Sequence, residues 1–95
     1  MAAYVVFVRE RTRDKSELEA YTPKARDSME GHSIKVLAAY GRHEVLEVPF
    51  IEGVVIVKFH SFDEAKAWYD SPAYRDAREH RVRGADYHAF IVAGL

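Results

Sequence analysis

The chain has 95 residues, 48% of them apolar and 31% charged, a composition that fits one globular domain rather than a disordered or fibrous chain. Its 14 basic and 15 acidic residues leave a formal net charge of −1, without the basic excess of a nucleic-acid-binding domain. It has no cysteine, which excludes disulfide stapling, thiolate catalysis and cysteine-ligated metal centres, and no apolar run approaches the ~20 residues needed to cross a bilayer.

Met1-Ala2-Ala3 leads directly into Tyr4-Val5-Val6-Phe7-Val8, a run too short for the apolar core of a signal peptide, so a cytoplasmic protein is expected. The first strand is read from Ala3 to Arg9. Its run Tyr4-Val5-Val6-Phe7-Val8 is apolar at every position, as are Val54-Val55-Ile56-Val57 and Ala89-Phe90-Ile91-Val92-Ala93. A strand wetted on one side alternates apolar and polar residues, because successive side chains point to opposite faces; unbroken apolar runs read as strands covered on both. Arg9, Arg11 and Arg13, interleaved with Glu10 and Asp14, read as a solvated strand end.

Helix-start chemistry follows, with Asp14 and Glu17, or Ser16 and Glu19, placed to form a capping box. Leu18, Tyr21, Ala25 and Met29 recur at helical spacing as a buried stripe. Pro23 lacks a backbone donor and crowds the preceding turn, so the expectation is a kinked helix, or two short ones, from Lys15 to Glu30, stopped at Gly31. A second strand spans Ser33 to Tyr40, with Ile34, Val36 and Ala38 on one side and Lys35, Leu37 and Ala39 on the other, less apolar and suited to an edge. His43 to Val48 reads as a short extension or hairpin arm stopped at Pro49. Glu52-Gly53 turns the chain into a third strand, Val54 to His60. Ser61 and Glu64 then make a capping box ahead of a short helix whose apolar side carries Phe62, Ala65, Trp68 and Tyr69. Ser71-Pro72 stops that helix and starts another, by a cap followed by proline at the first helical position. Tyr74 and Ala77, with Arg78 and Arg81, line its inner side; Gly84 ends it, and the last strand runs from Asp86 to Ala93.

The order β-α-β-β-α-β is that of an α+β, ferredoxin-like domain, a four-stranded antiparallel sheet with its helices on one face. The helices can hide only that face, so the second apolar face calls for a partner. A second copy of the same chain, packed sheet to sheet about a twofold axis, is the expected one.

The run Phe59-His60-Ser61-Phe62 and Trp68-Tyr69-Asp70-Ser71-Pro72-Ala73-Tyr74 resembles the domain of unknown function 1330 family, within the dimeric α/β-barrel superfamily. Its most specific part is the pattern F-x-S-x-x-x-A-x-x-W-Y-x-S-x-x-Y over Phe59 to Tyr74; Gly41, the Glu44-Val45-Leu46-Glu47 arm, Arg78 and Val92-Ala93-Gly94 support it. The chain departs from the family pattern at Val48, Gly53, Lys58 and His60. The resemblance implies the ferredoxin-like dimeric barrel. The superfamily includes cofactor-free monooxygenases, isomerases, haem-dependent enzymes and dimers without known chemistry, and fold alone does not choose among them.

The residues themselves offer limited chemistry. None of the five histidines, His32, His43, His60, His80 and His88, forms an H-E-x-x-H site, and no metal site is expected. No P-loop, dinucleotide fingerprint or nucleophile elbow occurs, and no cofactor is expected. Tyr21, Trp68, Tyr69 and Tyr74 read either as core packing or as the lining of an aromatic cleft between helices and sheet. Arg78 either pins its helix to a carboxylate or holds the acid group of a ligand. His60, where the third strand meets the next helix, is a surface residue or a general base at a pocket mouth. Two functions remain open: a homodimeric binding or structural module taking a small organic ligand, or a cofactor-free enzyme on a small hydrophobic or aromatic acid. In the second, Arg78 orients the acid, His60 is the base and Tyr21, Tyr69 or Tyr74 donate hydrogen bonds.

Overall fold

A computed structural model describes residues 1–47 and 49–95. Strand β1 (Ala3–Thr12) leads into helix α1 (Lys15–Ser28), strand β2 (Ile34–Ala39), strand β3 (Gly53–Phe59), helices α2 (Phe62–Tyr69) and α3 (Pro72–Gly84), and strand β4 (Ala85–Ala93). All strand pairs are antiparallel and the sheet order is β2-β3-β1-β4. The helices lie on one face, and the thinnest dimension is only 17 Å, one layer of sheet and one of helix. The expected ferredoxin-like arrangement is therefore the observed one, with the second helical segment split at Ser71-Pro72.

The caps set the helices. Asp14 is the N-cap of α1 and accepts from the Ser16 backbone N–H at 3.0 Å. Ser61 accepts from the Glu64 N–H at 3.1 Å to start α2, and Ser71 accepts from the Tyr74 N–H at 3.3 Å to start α3. Five expectations shift. β1 continues to Thr12, because Arg11 pairs with Asp86 and Thr12 with Ala85 on β4, beyond a register break after Arg9. α1 is a single helix through the exposed Pro23: Thr22 turns its hydroxyl back onto the Leu18 carbonyl at 3.1 Å instead of capping a new helix. α1 ends at Ser28, and Gly31 follows with a positive φ of 83° that a side chain would strain. A bulge at Leu37 puts Val36 and Ala39 opposite Val57 and Val55 on the helix face, and Ala38 opposite Ile56 on the other, so the alternation expected across the whole of β2 holds only up to Val36. No strand forms between Gly41 and Glu47 or between Pro49 and Glu52; Val48, the end of the expected arm, lies outside the described residues.

The core lies between sheet and helices. Ala3, Val5, Phe7, Val57 and Phe59 point into it and are at most 3% exposed. They meet Ala65, Trp68, Tyr74 and Ala77 from α2 and α3, all buried. Trp68 is central, its ring centroid 4.1 Å from Tyr74, 5.4 Å from Phe59 and 6.3 Å from Phe7. Its indole N–H donates to Ser28 Oγ at 3.2 Å, and Ser28 donates on to the Ala25 carbonyl at 2.6 Å, so neither buried polar group is left unpaired. α1 and α3 run side by side, tied by Glu17 to His80 (2.8 Å) and Lys24 to Asp76 (2.9 Å). A Cβ on Gly84 would sit 2.7 Å from Leu18 Cδ2, so glycine permits this close approach.

The opposite face carries Tyr4, Val6 and Val8 from β1, Val54 and Ile56 from β3, and Phe90 and Val92 from β4. All seven are apolar and none is buried. Lys35 and Lys58 flank this face at one end, and the pair Glu10–His88, 2.8 Å apart, flanks it at the other.

Candidate functional site

The site begins with the first turn of α3, where Tyr74 enters the core beside Trp68. Its hydroxyl meets that of Tyr21 from α1 at 2.9 Å, the two rings edge to face. Tyr69, the last residue of α2, packs 5.4 Å from Tyr74. Burial pushes the Tyr21 phenol far above its ordinary value, and the neighbouring Tyr74 adds to the shift; burial likewise raises Tyr74. Both phenols are neutral hydrogen-bonding groups through the physiological range.

Two helical turns after Tyr74, the same inward stripe brings Arg81 under the helix. It is 5% exposed. Its guanidinium carbon lies 5.2 Å from the ring centroid of Phe7 and 4.9 Å from that of Tyr87, with the Tyr74 phenol alongside. No carboxylate pairs with Arg81 among the described residues, and its Nε has no hydrogen-bond partner. Nearby acids are engaged elsewhere: Asp86 with Arg11 (3.2 Å) and Arg13 (2.9 Å), Glu17 with His80 and Arg83, and Glu52 with Arg9 (3.0 Å).

Tyr87 carries the cluster to the end of the sheet. Its hydroxyl meets that of Tyr40 at 2.5 Å, and Arg9 stacks 4.5 Å from the Tyr40 ring centroid. Tyr40 has a φ of 54°, rare for a bulky side chain, and its ring lies on Gly53, where a Cβ would be 2.5 Å from Tyr40 Cδ1. Burial, then the Tyr87 bond, raises the Tyr40 phenol.

Two depressions open along β4 on the helix side. One, about 290 Å³ and mainly apolar, is lined by Val5, Phe62, Lys66, Tyr69, Ala89, Phe90 and Ile91. The other, about 410 Å³, is lined by Arg13, Tyr69, Arg81, Val82, Ala85, Asp86, Tyr87 and Ala89. Tyr69 and Ala89 belong to both, so the two form one groove with a greasy end and a polar end.

The structure thus gathers Tyr21, Trp68, Tyr69 and Tyr74 into one cluster. Trp68 and Tyr74 are sealed inside it, and of the four only Tyr69 reaches the groove. Arg78 stacks on Tyr69, its guanidinium carbon 4.5 Å from the ring centroid, and opens onto a separate surface depression with Arg75, Glu79, Val82 and Arg83. His60 is exposed at the far end of the sheet, its Nε2 3.0 Å from Ser33 Oγ, in a depression with Lys35 and Lys58. His60 and Arg78 thus line separate depressions. Among the described residues, no group of three or more His, Asp or Glu side chains is placed to hold a metal ion, and no helix is long and apolar enough to cross a membrane. Arg81 is the site residue that sequence pattern underweighted. The signal was its position: seven residues after Tyr74 and four after Ala77, it falls on the buried stripe.

The family described as Domain of unknown function (DUF1330) matches residues 2–95. This chain belongs to that family. No curated protein matches it. Among solved structures it is similar to a protein of unknown function from Rhodopseudomonas palustris, at 19% identity and a TM-score of 0.74 over 99% of this chain and 82% of that one. It is also similar to a dimeric ferredoxin-like protein of unknown function from Thermobifida fusca, at 16% identity, a TM-score of 0.67, and coverage of 99% and 92%. A third likeness is to SnoaB, a cofactor-independent oxygenase from Streptomyces nogalater, at 8% identity, a TM-score of 0.62, and coverage of 99% and 93%. At these identities the likeness is one of fold, and this DUF1330 chain shares the ferredoxin-like fold with all three.

Proposed function

We propose that this DUF1330 protein is a homodimeric binding module, paired through its open sheet faces, whose groove between helices and sheet takes a small organic ligand. The observation that carries the reading is a sheet apolar on both faces: helices seal one but leave a groove along β4, and nothing among the described residues covers the other. Seven apolar side chains on a face two layers thin make a self-complementary surface of the kind a twofold axis closes. The Thermobifida fusca protein of the same fold is dimeric, which supports the pairing. Within the groove, Phe62, Ile91 and Ala89 supply an apolar wall, and Tyr69 supplies a ring with a hydroxyl, the mixture that holds a small organic molecule.

The catalytic alternative, with His60 as base and Arg78 as anchor, needs the two groups at one ligand, and they line separate depressions. Light scattering tests the pairing: the expected mass is twice the 10.9 kDa chain at micromolar concentration. A thermal-shift panel of small acids, amides and alcohols tests the groove. A folded monomer ends the first half of the reading, and a flat response to every compound ends the second.

A further inference from the structure

The polar end of the groove holds a charge that no carboxylate among the described residues balances. Lys and Arg are almost never fully buried unless paired, because moving an ion out of water costs several kcal/mol even after the protein relaxes. A guanidinium does not escape this by losing its proton. Stacking between Phe7 and Tyr87 recovers part of the penalty through the ring faces, but a ring face accepts no N–H in the guanidinium plane. Asp86, which lines the same depression, is already held by Arg11 and Arg13. Arg78 is also without a carboxylate partner among the described residues, but it is partly exposed and solvated, so its charge demands nothing. Arg81 differs from it in being almost wholly out of water while still lining an open groove.

We infer that Arg81 is the anchor for an organic anion: a small carboxylic acid binds in this groove with its carboxylate on the Arg81 guanidinium and its apolar body toward Phe62 and Ile91. The inference rests on the groove reading above and names the ligand class for it. A carboxylate matches the planar guanidinium fork with paired hydrogen bonds and supplies the missing counter-charge in one step. Tyr87 borders the same end with a hydroxyl, and Tyr69 stands where the head and body of such a ligand meet. The groove is one polar pocket beside one apolar pocket, which selects an amphiphilic acid over a dicarboxylate or a sugar.

The test compares acids with their amides of the same shape: phenylacetate against phenylacetamide, and octanoate against octanamide. Binding is followed by calorimetry and thermal shift on the dimer. The acids are expected to bind about 10- to 100-fold more tightly than the amides, the ratio given by charge-assisted hydrogen bonds. Arg81→Met should bring that ratio to about one, and Arg81→Lys, which keeps the charge but not the fork, should leave it in between. If Arg81→Met does not fold, Arg81→Lys decides the matter alone: a ratio unchanged from the parent chain overturns the inference. Acids and amides binding equally well overturn the anion assignment and leave the groove reading standing. An acid preference that survives Arg81→Met, together with a lower melting temperature, makes Arg81 a stacking residue and overturns its role. No binding by any of the four compounds overturns the inference and the groove reading together.

Discussion

The two faces of the sheet are built from alternate residues of the same strands, yet they end in opposite states. On the helix face, Val5, Phe7 and Val57 are exposed by at most 3%; on the other, Phe90 and Val92 remain 50% and 46% exposed. The composition of the two faces is similar, since Val6, Ile56 and Val54 are as apolar as their neighbours. The difference is one of cover: the described residues form three helices, and all three pack on one side. The sealed face therefore holds the domain together, and the open face is the one the proposed pairing would cover. The same contrast appears within the sealed face, where Trp68 and Ser28 satisfy each other and the Nε of Arg81 has no partner among the described residues.

The sharpest way to break the comparison is to charge the open face. Val6 sits at its middle, opposite Ile56 on β3 and Phe90 on β4. Across a twofold axis Val6→Glu buries two carboxylates at once, which should weaken the dimer by on the order of 5–10 kcal/mol. Sedimentation is expected to show a folded monomer; a dimer of unchanged affinity means that the open face is not the interface.

The matched change on the sealed face acts on folding itself. Phe7→Ala, which empties space beside Trp68 and Tyr74, should cost about 3–5 kcal/mol in urea unfolding. Phe90→Ala should leave a monomeric background such as Val6→Glu nearly as stable as before. Equal losses in both would erase the distinction between the faces.

Alkaline pH probes the sealed face by another route. Folding raises the phenol pKa values of Tyr21 and Tyr74 above the ordinary 10.0. Above that pH the unfolded chain sheds protons that the folded chain retains. Stability is therefore complete below pH 10 and falls as pH rises, by about 1.4 kcal/mol per pH unit for each phenol held neutral. Tyrosine ionisation read by ultraviolet absorbance should show Tyr21, Tyr40 and Tyr74 ionising above the ordinary range, Tyr21 and Tyr74 only as the far-ultraviolet dichroism is lost. If all six tyrosines ionise reversibly near pH 10, the cluster is open to water.

The smallest effect concerns a single hydrogen bond. Ser28→Ala strips the acceptor from the buried Trp68 indole and should cost about 1–3 kcal/mol, the penalty of an unpaired buried donor. A neutral result would mean that water reaches the indole.

The helix caps and the order of elements were legible because their causes are local. Ser61, Ser71 and Asp14 act on backbone groups within three residues, and no distant contact can reassign them. The bulge at Leu37 was not legible, because a strand's register is set by its partner, and nothing in Ile34–Ala39 reveals where β3 will slip. At Pro23 the sequence left a kinked helix and two short ones both open, and the structure forms one helix: a proline that lies on the solvent side of a helix packed on α3 is tolerated where an isolated helix would break. The tyrosines of the site were visible as an aromatic stripe. The choice between Arg78 and Arg81 was not, since residues four and seven after Tyr74 both fall on the inner side of a helix, and only packing against Phe7 and Tyr87 places one in the core and the other on Tyr69.

By itself, then, the chain determined the strand and helix order, the caps, and an unbroken apolar run in each of three strands, all consequences of periodicity and short-range chemistry. Tertiary structure alone decided which face the helices would seal, where β2 would bulge, and that a guanidinium would be carried under α3 without a counter-charge. These depend on which distant side chains share a small volume, and that is a property of the folded packing that no local pattern encodes.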